Sequence, residues 1–228
     1  MSLFAIADTH LSFGTDKPMD TFTGWQDYTA RIEKNWNNLV NENDYVIIAG
    51  DISWAMNFEQ LIPDFDFINR LNGTKIISKG NHDYWWNTLT KMNNFLLENK
   101  FETIKFLHNN AFDFDGFSVC GSRGWFFDSP EEKDEKVLNR EVLRIKQSLD
   151  SAHNDEKIVF LHYPPITTSD KCAEILMLLK EYGIKNCYYG HLHGMAARFS
   201  VNDTIDGINF KLISADRLQF TPYLIKKF

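Results

Sequence analysis

Five short clusters of histidine, aspartate and asparagine follow apolar stretches of this 228-residue chain. In chain order they are Asp8-Thr9-His10, Gly50-Asp51, Gly80-Asn81-His82-Asp83, His162 and Gly190-His191-Leu192-His193-Gly194. Imidazole and carboxylate ligands together suit borderline divalent metals such as Zn, Fe, Mn or Co, whereas Ca prefers oxygen ligands alone. Five of the seven histidines belong to these clusters. We expect the other two, His108 and His153, to lie outside any site because they stand in polar surroundings.

The clusters offer more candidate ligands than one metal ion can use. Two ions about 3.5–4 Å apart, with a carboxylate between them, would use the whole set. Two dications neutralise phosphate oxygens and make a bound water acidic enough to attack a phosphorus atom. Against the two negative charges of Asp8 and Asp51, such a site keeps a net positive charge that suits an anionic substrate. We therefore expect two divalent transition metal ions as cofactors.

The elements that position these clusters are visible as apolar patterns. Short apolar runs predict strands at 3–7, 45–49, 75–78, 117–120, 158–161, 186–189 and 208–213. Apolar residues repeating at three and four predict helices at 25–41, 58–71, 85–98, 130–150 and 169–182, with Pro63 in a first turn or marking a later start. Strands that alternate with helices predict an α/β architecture. Each cluster follows a strand, where open α/β sheets hold their ligands.

A second sheet is plausible, because residues 109–127 look rich in strands and the last third of the chain has few helical patterns. No linker-like composition or internal repeat divides the chain, which favours a single domain over residues 1–228. The polar loop 11–24 and the segment 109–155 are expected to shape specificity.

Composition and charge exclude several classes of function. The formal net charge of −7 argues against binding of duplex nucleic acid, which depends on Lys and Arg, and against a membrane surface. No apolar run approaches the roughly 20 residues that span a bilayer, and the N-terminal residues do not resemble a signal peptide. Three cysteines without paired spacing, Cys120, Cys172 and Cys187, predict reduced, buried thiols. We expect a cytoplasmic protein.

The five clusters, in this order from residue 8 to residue 193, resemble the motifs of the calcineurin-like metallophosphoesterase superfamily. The resemblance implies a two-sheet β-sandwich flanked by helices, with a dinuclear metal site. It also implies how the ligands divide: one metal bound by Asp8, His10 and His193, the other by Asn81, His162 and His191, with Asp51 bridging both. His82 would not be a ligand in that pattern. It would face the substrate and protonate the leaving oxygen.

Other residues near the clusters have two interpretations each. Asp83 either supports the site from behind the ligands or caps the N-terminus of the next helix, which Tyr84-Trp85-Trp86 would begin. Arg123, after another apolar strand, is either a phosphate clamp or an arginine of a surface turn. Trp54 and Trp125 are candidates for a stacking wall that receives a flat group.

The resemblance has one departure that bears on the substrate. After Gly50-Asp51 the chain continues Ile52-Ser53-Trp54-Ala55, whereas the family's protein phosphatases have a second aspartate and an arginine there. We therefore expect hydrolysis of small phosphodiester or nucleotide-type substrates. The alternatives are a phosphomonoesterase, including a protein phosphatase, and a non-catalytic metal-binding scaffold. The expected partner is a small phosphorylated substrate.

Overall fold

The computed structural model describes residues 1–125 and 135–228. Its first sheet contains β1 (Ser2–Ile6), β2 (Tyr45–Ala49), β3 (Thr74–Ser78), β4 (Ile104–Phe106) and β11 (Tyr223–Lys227). The strand order is β11-β1-β2-β3-β4. Strands β1 to β4 are parallel neighbours, and β11 runs antiparallel to β1. The carboxyl ends of the four parallel strands therefore lie at one edge.

The second sheet contains β5 (Phe112–Phe114), β6 (Phe117–Ser122), β7 (Lys157–Leu161), β8 (Asn186–Tyr189), β9 (Thr204–Ile205) and β10 (Ile208–Leu212). The strand order is β5-β6-β7-β8-β10-β9. The four inner strands are parallel, and β5 and β9 form antiparallel edges.

Five α-helices cover the outer faces of the two sheets within the described ranges. They are α1 (Tyr28–Leu39), α2 (Phe58–Arg70), α3 (Leu89–Glu98), α4 (Glu135–Asp150) and α5 (Ala173–Glu181). Helices α1 to α3 pack on the first sheet, and α4 and α5 pack on the second. None of the helices in the described ranges is both long enough and apolar enough to cross a membrane.

A third apolar layer fills the space between the sheets. In β1, Leu3 and Ala5 point into this layer, while Phe4 and Ile6 pack under the helices on the other face. Because both faces of the strand are covered, the strand is apolar throughout. The architecture is a two-sheet sandwich flanked by helices, as the family resemblance implied.

The two sheets meet in backbone hydrogen bonds just past the end of β1. The N–H of Ala7 donates to the carbonyl of Ile213, and the N–H of Ala215 donates to the carbonyl of Ala7, both at 2.8 Å. This junction places the carboxyl-end edges of the two sheets side by side.

Several element boundaries differ from the sequence-based prediction. Helix α3 begins at Leu89 rather than at residue 85, because Trp85 is buried against Asp83, to which its indole N–H donates at 3.2 Å. Helix α1 begins at Tyr28 because Asp27 is left-handed, with φ of 53°. Pro63 lies in the second turn of α2, which begins at Phe58. The predicted helix start at 130–134 lies outside the described residues.

Candidate metal centre

The polar clusters converge where the two sheets meet. Asp8 and Asp51 follow β1 and β2 of the first sheet, and Asn81 follows β3. His162 and His191 follow β7 and β8 of the second sheet. The fold thus brings together side chains that are up to 183 residues apart in the chain, since the backbone N–H of His191 donates to both oxygens of Asp8.

One group of potential ligands consists of Asp8, His10 and Asp51. Each offers one atom, and these atoms lie within 4.8 Å of one another. His10 Nε2 is 3.8 Å from Asp51 Oδ2. The His10 side chain is 1% exposed, and neither of its ring nitrogens has a hydrogen-bond partner. A buried imidazole with both nitrogens unsatisfied is unfavourable unless another group, such as a metal ion, binds to it.

The second group consists of Asp51, His162 and His191. His162 Nδ1 donates to the carbonyl of Ala49 at 3.2 Å, so a neutral ring carries no proton on Nε2. This Nε2 faces the side-chain oxygen of Asn81 at 2.7 Å and Asp51 Oδ2 at 3.5 Å. The side-chain oxygen of Asn81 is also 3.1 Å from His191 Nδ1. These potential ligand atoms therefore lie close together, which is favourable when a cation occupies the space between them.

Asp51 belongs to both groups, as a bridging carboxylate would. Imidazole nitrogens, carboxylate oxygens and an amide oxygen form a donor set that suits divalent transition metals. The residues present therefore fit two such ions. His193 lies beside the first group, with its ring centre 5.2 Å from that of His10, but it is not within the 4.8 Å spacing of either group.

The shifted pKa values of these buried groups also favour the binding of a cation. Burial raises the pKa of Asp8 to about 7. Burial, with the charges of Asp83 and Asp8, raises the pKa of Asp51 well above its usual value. Burial lowers the pKa of His162 well below its usual range and that of His191 to about 3. Divalent ions would stabilise the charged carboxylates and bind the neutral imidazoles.

The backbone at the site adopts conformations that side chains rarely take. The φ angle is positive at Asp8 (56°), His10 (44°), Asp51 (50°) and His191 (70°). A residue in this conformation lowers the stability of the folded protein by on the order of 1–3 kcal/mol, and the conformation persists where the surrounding structure enforces it. Here the N–H of Asp8 donates to Gly50, and that of His10 donates to the carbonyl of Asp51, both at 3.0 Å. Four of the seven proposed ligands therefore have a strained backbone.

Two glycines of the motifs allow the close approach of these loops. A Cβ atom at Gly80 would lie 2.1 Å from Asp51 Oδ1 and 2.2 Å from the backbone nitrogen of Asp51. At Gly190 it would lie 2.6 Å from the Cβ of Ala7. Any side chain at either position would push the site apart.

Asp83 organises the backbone behind the ligands. Its carboxylate accepts hydrogen bonds from the N–H groups of Asp51, Ile52 and Gly80 at 2.7–2.9 Å, and from the indole of Trp85. The alternative reading, in which Asp83 caps the next helix, is wrong, because the residue at the N-cap of α3 is Thr88.

His82 lies between the first ligand group and the ring of Trp54. Its backbone N–H donates to Asp51 Oδ1 at 2.8 Å, and its ring centre is 5.8 Å from that of His10 and 4.5 Å from that of Trp54. Trp54 also stacks on His10 at 4.9 Å. Burial, followed by the charges of His193 and Lys17, lowers the pKa of His82 to about 4. The imidazole is therefore neutral at pH 7 in the free protein.

The structure shows where three remaining residues, Trp125, Arg123 and His153, lie relative to the site. Trp125 is buried among the residues between the second sheet and its helices, so it cannot form a stacking wall with Trp54. Arg123 is not a surface arginine, since its side chain is only 22% exposed. Its guanidinium lies over the ring of Tyr163 at 5.6 Å and outside both ligand groups. His153 is exposed and bonds to Asp113.

Four residues near the centre were not predicted from the sequence. Lys17 Nζ lies 4.4 Å above the ring of Trp54, and the Tyr28 hydroxyl donates to the carbonyl of His10 at 3.0 Å. The Tyr163 ring is 4.6 Å from that of His191, and Lys79 directly precedes Gly80. Tyr163 and Lys79 could have been identified from the sequence because they are adjacent to motif residues. Lys17 and Tyr28 lie outside the motifs, so the sequence does not indicate them.

Comparison with known families agrees with the geometry of the site. A model of the family described as calcineurin-like phosphoesterase matches residues 1–195. The chain belongs to the calcineurin-like phosphoesterase family. Members of this family usually bind divalent metal ions, and membership with the two ligand groups supports a metal-dependent phosphoesterase, a hydrolase acting on phosphate esters.

Individual relatives are distant. The uncharacterized protein MJ1445 of Methanocaldococcus jannaschii is 28% identical over 86 residues, which are 36% of this chain and 46% of that protein. The chain thus spans about half the length of this curated relative.

Solved structures resemble the fold over nearly the whole chain. One is phosphopantetheinyl hydrolase from Mycobacterium tuberculosis, with a TM-score of 0.58 and 13% identity over 100% of this chain and 96% of that one. Another is AQ665 of Aquifex aeolicus, a protein of unknown function, with a TM-score of 0.56 and 15% identity over 98% of this chain and 95% of that one. At these identities the likeness shows the fold alone.

Proposed function

We propose that this protein hydrolyses small phosphodiester or nucleotide-type substrates with two divalent metal ions. The observation that carries the proposal is the convergence of three potential ligand atoms, with His162 Nε2 2.7 Å from the Asn81 side-chain oxygen and 3.5 Å from Asp51 Oδ2. The second ligand group, with Asp8 and His10, shares Asp51. Mn, Fe, Zn and Co all suit this mixed nitrogen and oxygen set.

The ligands hold the ions, and other residues act on the substrate. When bound, two such ions neutralise phosphate oxygens and lower the pKa of a water molecule. His82 protonates the leaving oxygen in this proposal. Because its pKa in the free protein is about 4, the negative charge of a bound phosphate has to raise this pKa before His82 can donate. Its backbone bond to Asp51 and its contact with Trp54 fix the position of the ring.

An open cavity beside Trp54 supports an organic leaving group. It has a volume of about 310 Å³, and Lys17, Pro18, Met19, Phe22 and Trp54 are among the residues that line it. Phe22 is 57% exposed. A flat group can stack on Trp54, and Lys17 can neutralise a negative charge on it. A leaving group of this kind favours a small diester over a phosphorylated protein side chain.

Reconstitution of metal-free protein tests the proposal. Protein treated with EDTA is loaded with Mn, Fe, Zn or Co and assayed on bis-p-nitrophenyl phosphate, a diester, and p-nitrophenyl phosphate, a monoester. We expect faster turnover of the diester, and no turnover by Asp51→Asn. Faster turnover of the monoester would establish the phosphomonoesterase alternative instead. Two bound metals with no turnover of either ester would favour the scaffold.

A further inference from the structure

A second cavity opens at the carboxyl ends of β3 and β6, where Lys79 and Arg123 follow the two strands. Its volume is about 60 Å³, and its lining includes Lys79, Trp86, His108, Ser122, Arg123 and Arg144. One water needs roughly 10–15 Å³ of such volume, so the cavity holds about four waters. This is the size of a phosphate group, which has five heavy atoms.

The cavity concentrates positive charge in an acidic protein. Three of the lining residues, Lys79, Arg123 and Arg144, are cations. The carboxylate that pairs with both arginines is Glu141, which is fully buried and is not among the lining residues. The charge of Asp83 also acts on Lys79, but Asp83 already accepts hydrogen bonds from five N–H groups. Within the described residues, Lys79 Nζ has neither a hydrogen bond nor an ion pair.

The cavity wall also presents donors that lack acceptors. Arg123 Nε and Trp86 Nε1 are buried, and neither has a hydrogen-bond partner in the described part of the chain. Buried N–H groups are normally satisfied. An anion in the cavity would satisfy both donors and would face the three cations at once.

Contacts connect this cavity to the metal centre. Lys79 is two residues before Asn81, and the carbonyl of Arg123 accepts a bond from the N–H of His162 at 3.1 Å. The Tyr163 ring lies between the Arg123 guanidinium and the ring of His191. The cavity therefore adjoins the second ligand group, whereas the Trp54 cavity adjoins His82.

We propose that this cavity binds a second phosphate group, carried by the part of the substrate that stays bound when the leaving group departs. The proposal rests on the proposed phosphodiesterase function. It narrows the substrate class to phosphodiesters that bear an additional terminal phosphate. The arginine guanidinium groups match phosphate oxygens as paired donors.

A matched pair of substrates tests this inference. Thymidine 5′-(p-nitrophenyl phosphate) is compared with the same compound carrying a 3′-phosphate, so that the leaving group is identical. We expect the 3′-phosphate to raise kcat/KM by roughly tenfold or more, the effect of about one charge-assisted contact. Lys79→Gln and, in a separate variant, Arg144→Gln should lower the ratio of the two kcat/KM values toward one, mainly by raising the KM for the ester with the 3′-phosphate. Lys34→Gln, an exposed change on α1, should keep it.

A titration that needs no turnover separates the two proposals. Inorganic phosphate is added to EDTA-treated protein, and binding is followed by calorimetry and by the shift in Tm. Wild type and Lys34→Gln should bind, and Lys79→Gln and Arg144→Gln should bind at least severalfold more weakly. If neither thymidine ester is hydrolysed, the proposed function fails and this titration alone decides the cavity. The cavity proposal would be overturned if Lys79→Gln and Arg144→Gln lost equal activity on both thymidine esters. It would also be overturned if neither variant weakened phosphate binding.

Discussion

The carboxylate of Asp83 accepts a hydrogen bond from the backbone N–H of Asp51, with 2.9 Å between Oδ2 and N. The same oxygen accepts the N–H of Gly80 at 2.7 Å. One buried side chain thus binds the loop after β2 to the loop after β3. The position of Asp51, the proposed bridge, thus depends on a residue outside both ligand groups.

Asp83→Asn should destabilise the protein and weaken metal binding. An amide presents an NH₂ group to one side of the site, where the N–H groups of Asp51 and Gly80 need an acceptor. Leaving buried donors unsatisfied costs about 1–3 kcal/mol each. Urea unfolding and metal titration measure the two effects. Asp115→Asn, in the exposed β5–β6 turn, is the matched control, and equal behaviour of the two variants would contradict the role of Asp83.

Metal analysis should find about two transition metal ions per chain, since two ligand groups share Asp51. Asp51→Asn should reduce the content of both ions, because one change affects both groups. Inductively coupled plasma mass spectrometry after dialysis gives the stoichiometry. A single tight ion that survives Asp51→Asn would rule out the dinuclear centre.

His82→Ala should separate proton transfer from metal binding. The variant should keep both metals. Its rate on substrates with alkyl or ribose leaving groups should fall roughly 10²–10⁴-fold, the usual range for a general acid. A nitrophenolate leaves without a proton, so the loss on nitrophenyl esters should be much smaller. His153→Ala, at an exposed histidine, serves as the control. Equal losses on both leaving groups, or loss of a metal, would assign His82 another role.

The stabilisation that metals provide should grow as pH rises from 5.5 to 7 and level off above pH 7. The pKa of Asp8 is raised from 3.8 to about 7, so between these values the folded metal-free protein holds a proton that the unfolded chain has lost. The stability of the metal-free protein therefore falls by on the order of 1 kcal/mol per pH unit as pH rises toward 7. Burial lowers the pKa values of the histidines at the site, so they are neutral in the folded protein with or without metal, and their effect cancels.

The measurement is the difference in Tm between metal-loaded and EDTA-treated protein. Buried Lys75, whose pKa is lowered to about 7, gains stability as pH rises further, but its effect is the same in both forms and cancels. Asp8→Asn should flatten the pH dependence of the metal-free form. A difference in Tm that is constant between pH 5.5 and 7 would show that Asp8 does not bind the ions.

The position of the centre could be predicted because its residues obey a local rule. Asp8, Asp51, Asn81 and His162 each follow an apolar strand, and parallel strands bring such positions to one edge. The fold class followed from the same alternation of strands and helices. The division of ligands between two ions came only from the family resemblance, and it stays a prediction.

Other features could not be predicted because they depend on contacts between distant residues. The charged cavity joins Lys79, Arg123 and Arg144 from three separate elements. Nothing near Arg123 in the chain indicates that Glu141 lies beside it. Trp125 was predicted to form a stacking wall, yet it is buried in the apolar core of the second sheet. Short edge strands such as β9 and β11 are stabilised by their neighbours and leave little pattern of their own.

The bond from His191 to Asp8 spans 183 residues, which has a consequence for folding during synthesis. Contacts between such distant segments form late, because the intervening chain must be ordered first. Until the second sheet is made, the second ligand group lacks His162 and His191, whereas Asp8, His10 and Asp51 of the first group are already present. A nascent or truncated chain should therefore hold less metal than the finished protein. The amount of bound metal per chain would thus distinguish finished molecules from folding intermediates in a mixed preparation.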